Sequence, residues 1–200
     1  MDNSMIAELY LSFAAIFHRP SPDVADHLEE FIDLWSEVIP EIGDSVQKLT
    51  TFCRQFPAGE QRLNALWEHY IPLFETGAVE ASPYASVYCG EEGLVLGKEA
   101  FNVQQFYANC GYCMGEKSGE LPDHLGVELE FCALLARNGQ IDSLMEFQKK
   151  HLTPFLKSIL RRIKHSNRPL YSEVAAILEV KQFNSQKEGD FVGKKVFHDY

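Results

Sequence analysis

Apolar residues return every three or four positions along most of this chain, which is the spacing of an amphipathic α-helix. The first such run, from Met5 to Phe17, has Asn3 or Ser4 as a candidate N-cap and stops before Pro20. Sustained alternation of apolar and polar residues, which is the pattern of a strand, does not occur. The sequence therefore predicts an all-α protein.

Capping and turn residues divide the remaining pattern into further helices, for a total of seven or eight. Ser21 and Pro22 supply an N-cap and a first helical proline for the second helix. The helix that follows Pro122 has little polar surface, so we predict that it lies at the centre of the fold. Pro154 predicts a bend between two of the later helices.

Two hundred residues without a repeat or low-complexity tract fit one compact helical bundle domain. We predict that this domain covers residues 1–183 and has a long aromatic-containing loop between two helical halves. From residue 184 onward the helical periodicity fades, so residues 184–200 are expected to form a loose C-terminal tail.

Residues 70–97 form a turn-rich segment that carries more large apolar side chains than loops usually do. Such a surface either packs on the helical core or lines a groove. Both interpretations stay open for Leu73 and Phe74, which can end a core helix. Tyr84 and Tyr88 lie within the loop, and we interpret them as groove-lining residues.

Charge and cysteine usage narrow the classes of function. Twenty-nine acidic and eighteen basic residues give a net charge of -11, which disfavours nucleic acid or an anionic membrane as the main partner. No apolar run approaches the length of a membrane span, and Asp2 and Glu8 do not suit a secretory signal. Five cysteines without an export signal indicate reduced thiols, so a cytoplasmic location is expected.

Five blocks of residues occur in an order that is typical of one family. They are Tyr70-x-x-Leu73-Phe74 with Pro83-Tyr84-x-Ser86-Val87-Tyr88, Glu91-Glu92-Gly93-Leu94, Phe106-Tyr107, Pro122-Asp123-His124-Leu125 with Glu128-Leu129-Glu130-Phe131, and His151-Leu152-x-Pro154-Phe155. In these blocks the chain resembles the TorD/DmsD/NarJ family of molybdoenzyme assembly chaperones, also called redox enzyme maturation proteins. Two positions depart from the usual pattern, because Ser82 replaces a proline and Phe155 a tryptophan that many relatives have.

The resemblance implies an all-helical cytoplasmic chaperone, not an enzyme, that needs no cofactor. Its implied partners are the twin-arginine signal peptide and the apo-form of a molybdoenzyme, which such chaperones hold back from export until the molybdenum cofactor is installed. A monomer and a domain-swapped dimer are both compatible with the long loop.

A receptor for two guanidinium groups beside an apolar stretch needs an apolar groove bordered by carboxylates. The sequence offers both, and Glu91 and Glu92 add negative charge to the loop. The candidate peptide-binding residues are Leu73, Phe74, Pro83, Tyr84, Ser86, Val87, Tyr88, Asp123, His124 and Glu128.

Two of these candidates have a simpler interpretation from spacing alone, with Asp123 as an N-cap and His124 as a surface residue. The resemblance makes them the first polar candidates, because the matching pair affects signal-peptide binding in relatives. Glu128 follows His124 by four residues and is better placed beside it than Glu130. Alanine at Tyr84 or Asp123 is expected to weaken peptide binding without unfolding the domain.

A cysteine pair offers an alternative function. Cys110 and Cys113 are three residues apart, so their thiolates could hold one soft metal ion or form a disulfide. No second pair and no thioredoxin-like strand pattern accompany them, and half-buried thiols at a helix end are the simpler interpretation. We therefore predict no metal site, with a metal- or thiol-redox helical protein as the alternative.

Enzymatic signatures do not emerge from the sequence. The stretch from Gly93 to Lys98 is one residue too short between its glycines for a phosphate-binding P-loop, and Glu99 replaces the Ser or Thr that holds magnesium. The chain has no Ser-His-Asp order, paired acid site or dinucleotide fingerprint.

Overall fold

The computed structural model describes residues 2–75, 79–90, 93–115 and 119–192, with side chains as far as Gln182. Within these residues every regular element is helical. Tyr84 and His124 form an isolated antiparallel bridge. The prediction of an all-α fold is confirmed.

Ten α-helices follow one another along the described chain. Their bounds are α1 Asn3–Phe17, α2 Pro22–Val38, α3 Gly43–Gln55, α4 Glu60–Phe74, α5 Ser86–Cys89, α6 Lys98–Asn109, α7 Leu125–Arg137, α8 Ile141–Phe147, α9 Thr153–His165 and α10 Pro169–Val192. A 3₁₀ turn, Pro40–Ile42, precedes α3, and a π-helical turn, Gln148–Leu152, joins α8 to α9.

For three helices the sequence predicts the N-cap residue. The structure has the predicted N-cap in one of them and a different N-cap in the other two. Ser21 caps α2 as predicted, because its side chain accepts a hydrogen bond from the Val24 amide. Helix α1 is capped one residue earlier than predicted, by Asp2. Helix α7 is capped by His124, whose ring nitrogen accepts from the Gly126 amide, so the interpretation of Asp123 as the cap is wrong.

Helix α7 is buried on most of its surface and packs along α1, which confirms its predicted central position. Around α1, the Phe13 ring stacks on Trp35 of α2 with centroids 4.8 Å apart. The indole of Trp35 donates a hydrogen bond of 2.8 Å to the Ser12 hydroxyl, so its buried polar atom has a partner. Helices α9 and α10 pack on each other, and α10 also packs on α3.

The aromatic-rich segment is more helical than its turn residues suggest. Residues 70–74 are the last turn of α4, which continues through Pro72. The 3.4 Å bond from the Glu80 amide to the Pro72 carbonyl and the 2.9 Å bond from Ala81 to Leu73 then fold the chain back on the helix end. Helix α5 lies inside the predicted loop and packs against α9.

The C-terminal helix α10 crosses the predicted domain boundary at residue 183 and continues to Val192. The division into a domain of residues 1–183 and a tail of residues 184–200 stays a prediction, and residues 193–200 lie outside the described residues. Across the described part of the chain, no helix combines the length and the apolar character that a membrane crossing requires.

A buried arginine ties three helices together in the N-terminal half. Arg62 of α4 is 1% exposed, and its guanidinium donates to the carbonyls of Ala25, Cys53 and Phe56 at 2.9–3.2 Å. It also donates to the Glu29 carboxylate at 3.1 Å. The planar fork of donors therefore links the backbone of α2 to the end of α3 through hydrogen bonds that one side chain supplies.

Replacement of Arg62 by methionine is predicted to lower the free energy of unfolding by about 2–4 kcal/mol, because the carbonyls of Ala25, Cys53 and Phe56 lose hydrogen bonds from a charged donor. Glu29→Gln is the matched control, since its side chain is 59% exposed and an exposed ion pair contributes about 1 kcal/mol or less. Urea unfolding monitored by circular dichroism measures both. Equal losses in the two variants would show that the ion pair, and not the carbonyl network, carries the stabilisation.

Candidate functional site

Two segments that are distant in sequence lie side by side at the start of α7. The Leu125 amide donates to the Pro83 carbonyl at 2.8 Å, and the Ala85 amide donates to the Asp123 carbonyl at 2.9 Å. These reciprocal bonds form the bridge between Tyr84 and His124. The aromatic loop is therefore held in a fixed register against the first residues of the central helix.

Asp123 strengthens the same junction with its side chain. It is fully buried, and its Oδ2 accepts a 2.8 Å hydrogen bond from the Ser86 amide at the start of α5. Its Oδ1 has no partner among the described residues. The carboxylate thus positions the loop from inside.

His124 lies beneath the loop and is 1% exposed. Because its Nδ1 accepts from the Gly126 amide at 3.1 Å, the ring proton of the neutral imidazole is on Nε2. Burial, together with electrostatic interactions with His18 and Arg19, lowers the pKa of His124 to about 3. The ring is consequently neutral near pH 7 and meets the Tyr84 ring edge to face at 5.4 Å.

His18, just after α1, stacks on the other face of His124 with ring centroids 5.2 Å apart. Its Nε2 lies 3.1 Å from the Glu130 carboxylate, although the two atoms are not aligned as a hydrogen bond. A Cβ atom on Gly126 would come within 2.7–2.8 Å of the His18 ring. Glycine at this position of α7 therefore permits the close approach of the stacked pair.

A surface pocket of about 270 Å³ opens beside this junction. Three stretches of the sequence contribute its aromatic and apolar walls, namely the end of α4, the loop before α5 and the residue before α7. The pocket is lined by Arg19, Tyr70, Phe74, Glu75, Pro83, Tyr84, Glu120 and His124. We call it the aromatic–acidic pocket.

Two carboxylates border the aromatic–acidic pocket. The Tyr84 hydroxyl donates to Glu120 at 3.1 Å, and burial together with this carboxylate raises the pKa of Tyr84 to about 12. The second carboxylate, Glu75, is the C-cap residue of α4 and accepts a 2.6 Å hydrogen bond from Arg19 Nε. The pocket thus presents the half-buried ring of Tyr84 beside negative charge, with Tyr70, Phe74 and His124 buried behind it.

Four of the candidate residues from the sequence meet in this pocket: Phe74, Pro83, Tyr84 and His124. The remaining lining residues were missed, although Tyr70 belongs to the first sequence block. Arg19 and Glu75 carried no signal, because each simply follows a helix, and Glu120 lies in a connection without periodicity. Only their proximity in the fold identifies them.

Other candidates lie away from the pocket. Leu73 is fully buried in the core. Tyr88 is turned toward α9, where its ring meets Phe155 at 5.7 Å and the Arg162 guanidinium at 5.4 Å. Val87 is half-buried, and Ser86 borders a second cavity of about 520 Å³ that Cys89 and Glu99 also line.

Glu128 is fully buried in α7, and neither carboxylate oxygen has a hydrogen-bond partner among the described residues. Burial is the main cause that raises the pKa of this carboxyl, and the negative charges of Asp123 and Glu99 add to it. Glu128 therefore cannot meet a ligand in this conformation, whereas Glu130 is 48% exposed beside His18.

The acidic residues Glu91 and Glu92 lie outside the described residues. Cys110 caps the end of α6, Cys113 is exposed, and both thiols are free. Within the described ranges, no group of three His, Cys, Asp or Glu side chains could hold a metal ion. The alternative of a metal or redox site gains no geometric support from these residues.

Comparison with known proteins identifies the family. Residues 36–161 match the family model described as nitrate reductase delta subunit. This match covers more than half of the chain, and the chain belongs to that family. The resemblance to the TorD/DmsD/NarJ chaperones is thereby confirmed.

Two curated relatives are each named chaperone protein TorD. The protein from Vibrio parahaemolyticus is 35% identical over 85 residues, which are 42% of this chain and only 37% of that relative. The protein from Photobacterium profundum is 27% identical over 148 residues, which are 70% of this chain and 68% of that relative.

A solved structure shares the fold. The crystal structure of a candidate redox enzyme maturation protein from Archaeoglobus fulgidus superposes with a TM-score of 0.60 at 24% identity. The superposition covers 90% of this chain and 94% of that protein. The likeness supports the helical architecture described above.

Asp123→Ala is predicted to lower the free energy of unfolding by about 1–3 kcal/mol, because the buried Ser86 amide loses its acceptor. Asp123→Asn retains a carbonyl acceptor and is expected to lose about half as much or less. A loss of this size agrees with the sequence-based expectation that alanine at this position does not unfold the domain. Chemical denaturation of both variants checks which of them loses more free energy of unfolding. Similar losses in the two variants would show that the negative charge of Asp123, and not its role as an acceptor, stabilises the fold.

Glu128→Gln is predicted to remove a pH dependence of stability. Because the folded-state pKa of Glu128 is raised, the unfolded chain loses this proton first, and stability falls as pH rises above about 4.5. The glutamine variant should gain on the order of 1–3 kcal/mol over the wild type between pH 4 and pH 8. Denaturation across this range tests it, with half-exposed Glu130→Gln as control. A difference in stability between Glu128→Gln and the wild type that does not change with pH would contradict the raised pKa of Glu128.

Proposed function

We propose that this protein is a cytoplasmic chaperone that binds the twin-arginine signal peptide of a molybdopterin-dependent oxidoreductase during assembly of that enzyme. The observation that carries the proposal is the convergence of Phe74, Pro83, Tyr84 and His124, from three stretches of sequence, on one pocket bordered by carboxylates. Family membership and the name of its TorD relatives give the kind of client.

The chemistry of the pocket suits such a peptide. The half-buried ring of Tyr84 can contact a peptide at low cost in conformational entropy. Carboxylates at the rim suit a guanidinium, which presents its donors in a planar fork. The net charge of -11 favours the approach of a cationic segment over that of an anionic one.

Binding and release are sufficient for this role, and no catalytic step is part of it. While the signal peptide occupies the chaperone, the translocase cannot engage it, and the apo-enzyme has time to receive its molybdenum cofactor. The body of the client is a second partner in the proposal. The helical scaffold holds the pocket rigid through the buried junction between Pro83 and Leu125.

Calorimetric titration with twin-arginine signal peptides tests the proposal, and each peptide is paired with a control in which both arginines are lysine. The wild type is expected to bind at least one arginine peptide and to bind its lysine partner about tenfold more weakly or worse. Tyr84→Ala should reduce affinity by about tenfold or more, as loss of a central aromatic contact does.

Phe101→Ala is the matched control, because this ring is 61% exposed on α6 and is not among the lining residues of the pocket. Its affinity should stay within about twofold of the wild type. Equal affinity for the arginine and lysine peptides would show that the protein does not recognise the twin-arginine motif. A Tyr84 variant with normal affinity would move the binding site elsewhere on the protein.

A further inference from the structure

One of the groups that line the aromatic–acidic pocket is a guanidinium of the protein itself. Arg19 follows α1, and its Nε lies 2.6 Å from Glu75 Oε1. The carboxylate of Glu120 acts on the same guanidinium, since both Glu75 and Glu120 raise the pKa of Arg19. Arg19 is also close enough to act on two neighbouring groups. It offsets part of the rise in the pKa of Tyr84 and adds to the fall in the pKa of His124.

The surroundings of Arg19 are those expected for a recognised arginine. A planar cation lies beside carboxylates and borders the rings of Tyr70, Phe74 and Tyr84. The pocket of about 270 Å³ is therefore open beside Arg19, and its carboxylates suit the charge of a guanidinium.

The contact is of a kind that another cation can replace. The Arg19 side chain is 67% exposed and that of Glu75 is 29% exposed, so water screens their attraction. By contrast, Arg62 is 1% exposed and is fixed by three carbonyls as well as a carboxylate. Arg19 can leave Glu75 without exposing buried polar groups of the core.

Glu75 has a local reason to accept a cation of any origin. It is the C-cap residue of α4, where the helix dipole places partial negative charge beside its own carboxylate. Any guanidinium at this position reduces the repulsion. The site thus recognises the charge and shape of a guanidinium, which can come from Arg19 or from a bound peptide.

We propose that the aromatic–acidic pocket is a guanidinium subsite beside which Arg19 pairs with Glu75 in the unliganded protein, and that an arginine of the bound peptide displaces Arg19 from Glu75. This inference rests on the proposed function and adds a built-in competitor to it. Arg19 sets a threshold for binding affinity. A ligand must bind the carboxylates more tightly than Arg19 does, or make further contacts with the protein, to enter the pocket. A peptide with lysine in place of arginine lacks the planar fork and cannot exchange as well.

The first test measures affinity in variants of the full-length protein. Arg19→Gln removes the competitor and is expected to raise affinity for a twin-arginine peptide by about two- to fivefold. The gain for the lysine control peptide should be smaller. Lys48→Gln is the matched control, because it removes the same charge from an exposed ion pair. Lys48 is 64% exposed, pairs with Glu173 at 2.8 Å and is not among the lining residues of the aromatic–acidic pocket.

The outcomes separate the two proposals. A wild type that binds the arginine peptide, combined with unchanged or lower affinity in Arg19→Gln, would overturn displacement and leave the proposed function standing. Equal gains in Arg19→Gln and Lys48→Gln would also overturn it, because they would reflect net charge alone. A wild type without measurable affinity for any arginine peptide would overturn both proposals.

The second test observes Arg19 directly and does not depend on a mutant. The Nε–H group of Arg19 gives a side-chain signal in nitrogen–proton correlation spectra, and Arg19→Gln assigns it. On saturation with the arginine peptide the signal is expected to move to the position of a solvated arginine, and the lysine peptide should leave it in place. A signal that stays unchanged while calorimetry reports binding would contradict displacement.

Discussion

The junction between the aromatic loop and the start of α7 is the interaction on which the pocket depends. Two backbone hydrogen bonds join Pro83 to Leu125 and Ala85 to Asp123, and the Asp123 carboxylate adds a third bond to the Ser86 amide. All of them are buried or next to buried residues, so water cannot replace them without opening the loop. Because α7 is fixed along α1, the loop takes its position from the centre of the protein.

This junction turns neighbouring side chains of the loop in different directions. Tyr84 faces His124 and the aromatic–acidic pocket, whereas Tyr88 faces Phe155 of α9 and Ser86 borders the second cavity. The loop can therefore hold itself on the helical core and still present one aromatic ring to a ligand. Glycine at residue 126 completes the arrangement, since it leaves room for His18 to stack under His124.

The acidic groups near the junction have separate physical roles. Glu75 and Glu120 lie at the pocket rim and can meet a cation. Asp123 is buried and acts on the backbone of the loop. Glu128 is buried without a hydrogen-bond partner in the described structure, and burial raises the pKa of its carboxyl. Of these four residues, Glu75 and Glu120 are the ones placed to provide electrostatic recognition.

The sequence predicts the helices well because their pattern is local. Ser21 caps α2 as expected, and the apolar helix after Pro122 is the central one. The ordered sequence blocks also contain five residues of the pocket, and four of them were candidate binding residues. Arg19, Glu75 and Glu120 could not be found in this way, because their association depends on how α1, α4 and the connection before α7 come together.

The role of Asp123 was hidden for a related reason. An aspartate before a helix reads as an N-cap, and the alternative acceptor site, the Ser86 amide, is 37 residues away in sequence. His124 caps the helix instead, through a ring nitrogen that helix-start statistics do not favour. Local patterns thus locate the junction correctly, but the hydrogen bonds that build it connect distant segments.

Amide hydrogen exchange of the full-length protein, with and without a saturating twin-arginine peptide, tests most directly whether this junction forms the binding site. We expect slower exchange in residues 81–89 and 121–126 with the arginine peptide and little change with its lysine control. Helices α2 and α3, which lie away from the pocket, should exchange as in the free protein. Unchanged exchange at the junction, with protection instead along the groove lined by Ile39, Ile141 and Met145, would contradict the assignment.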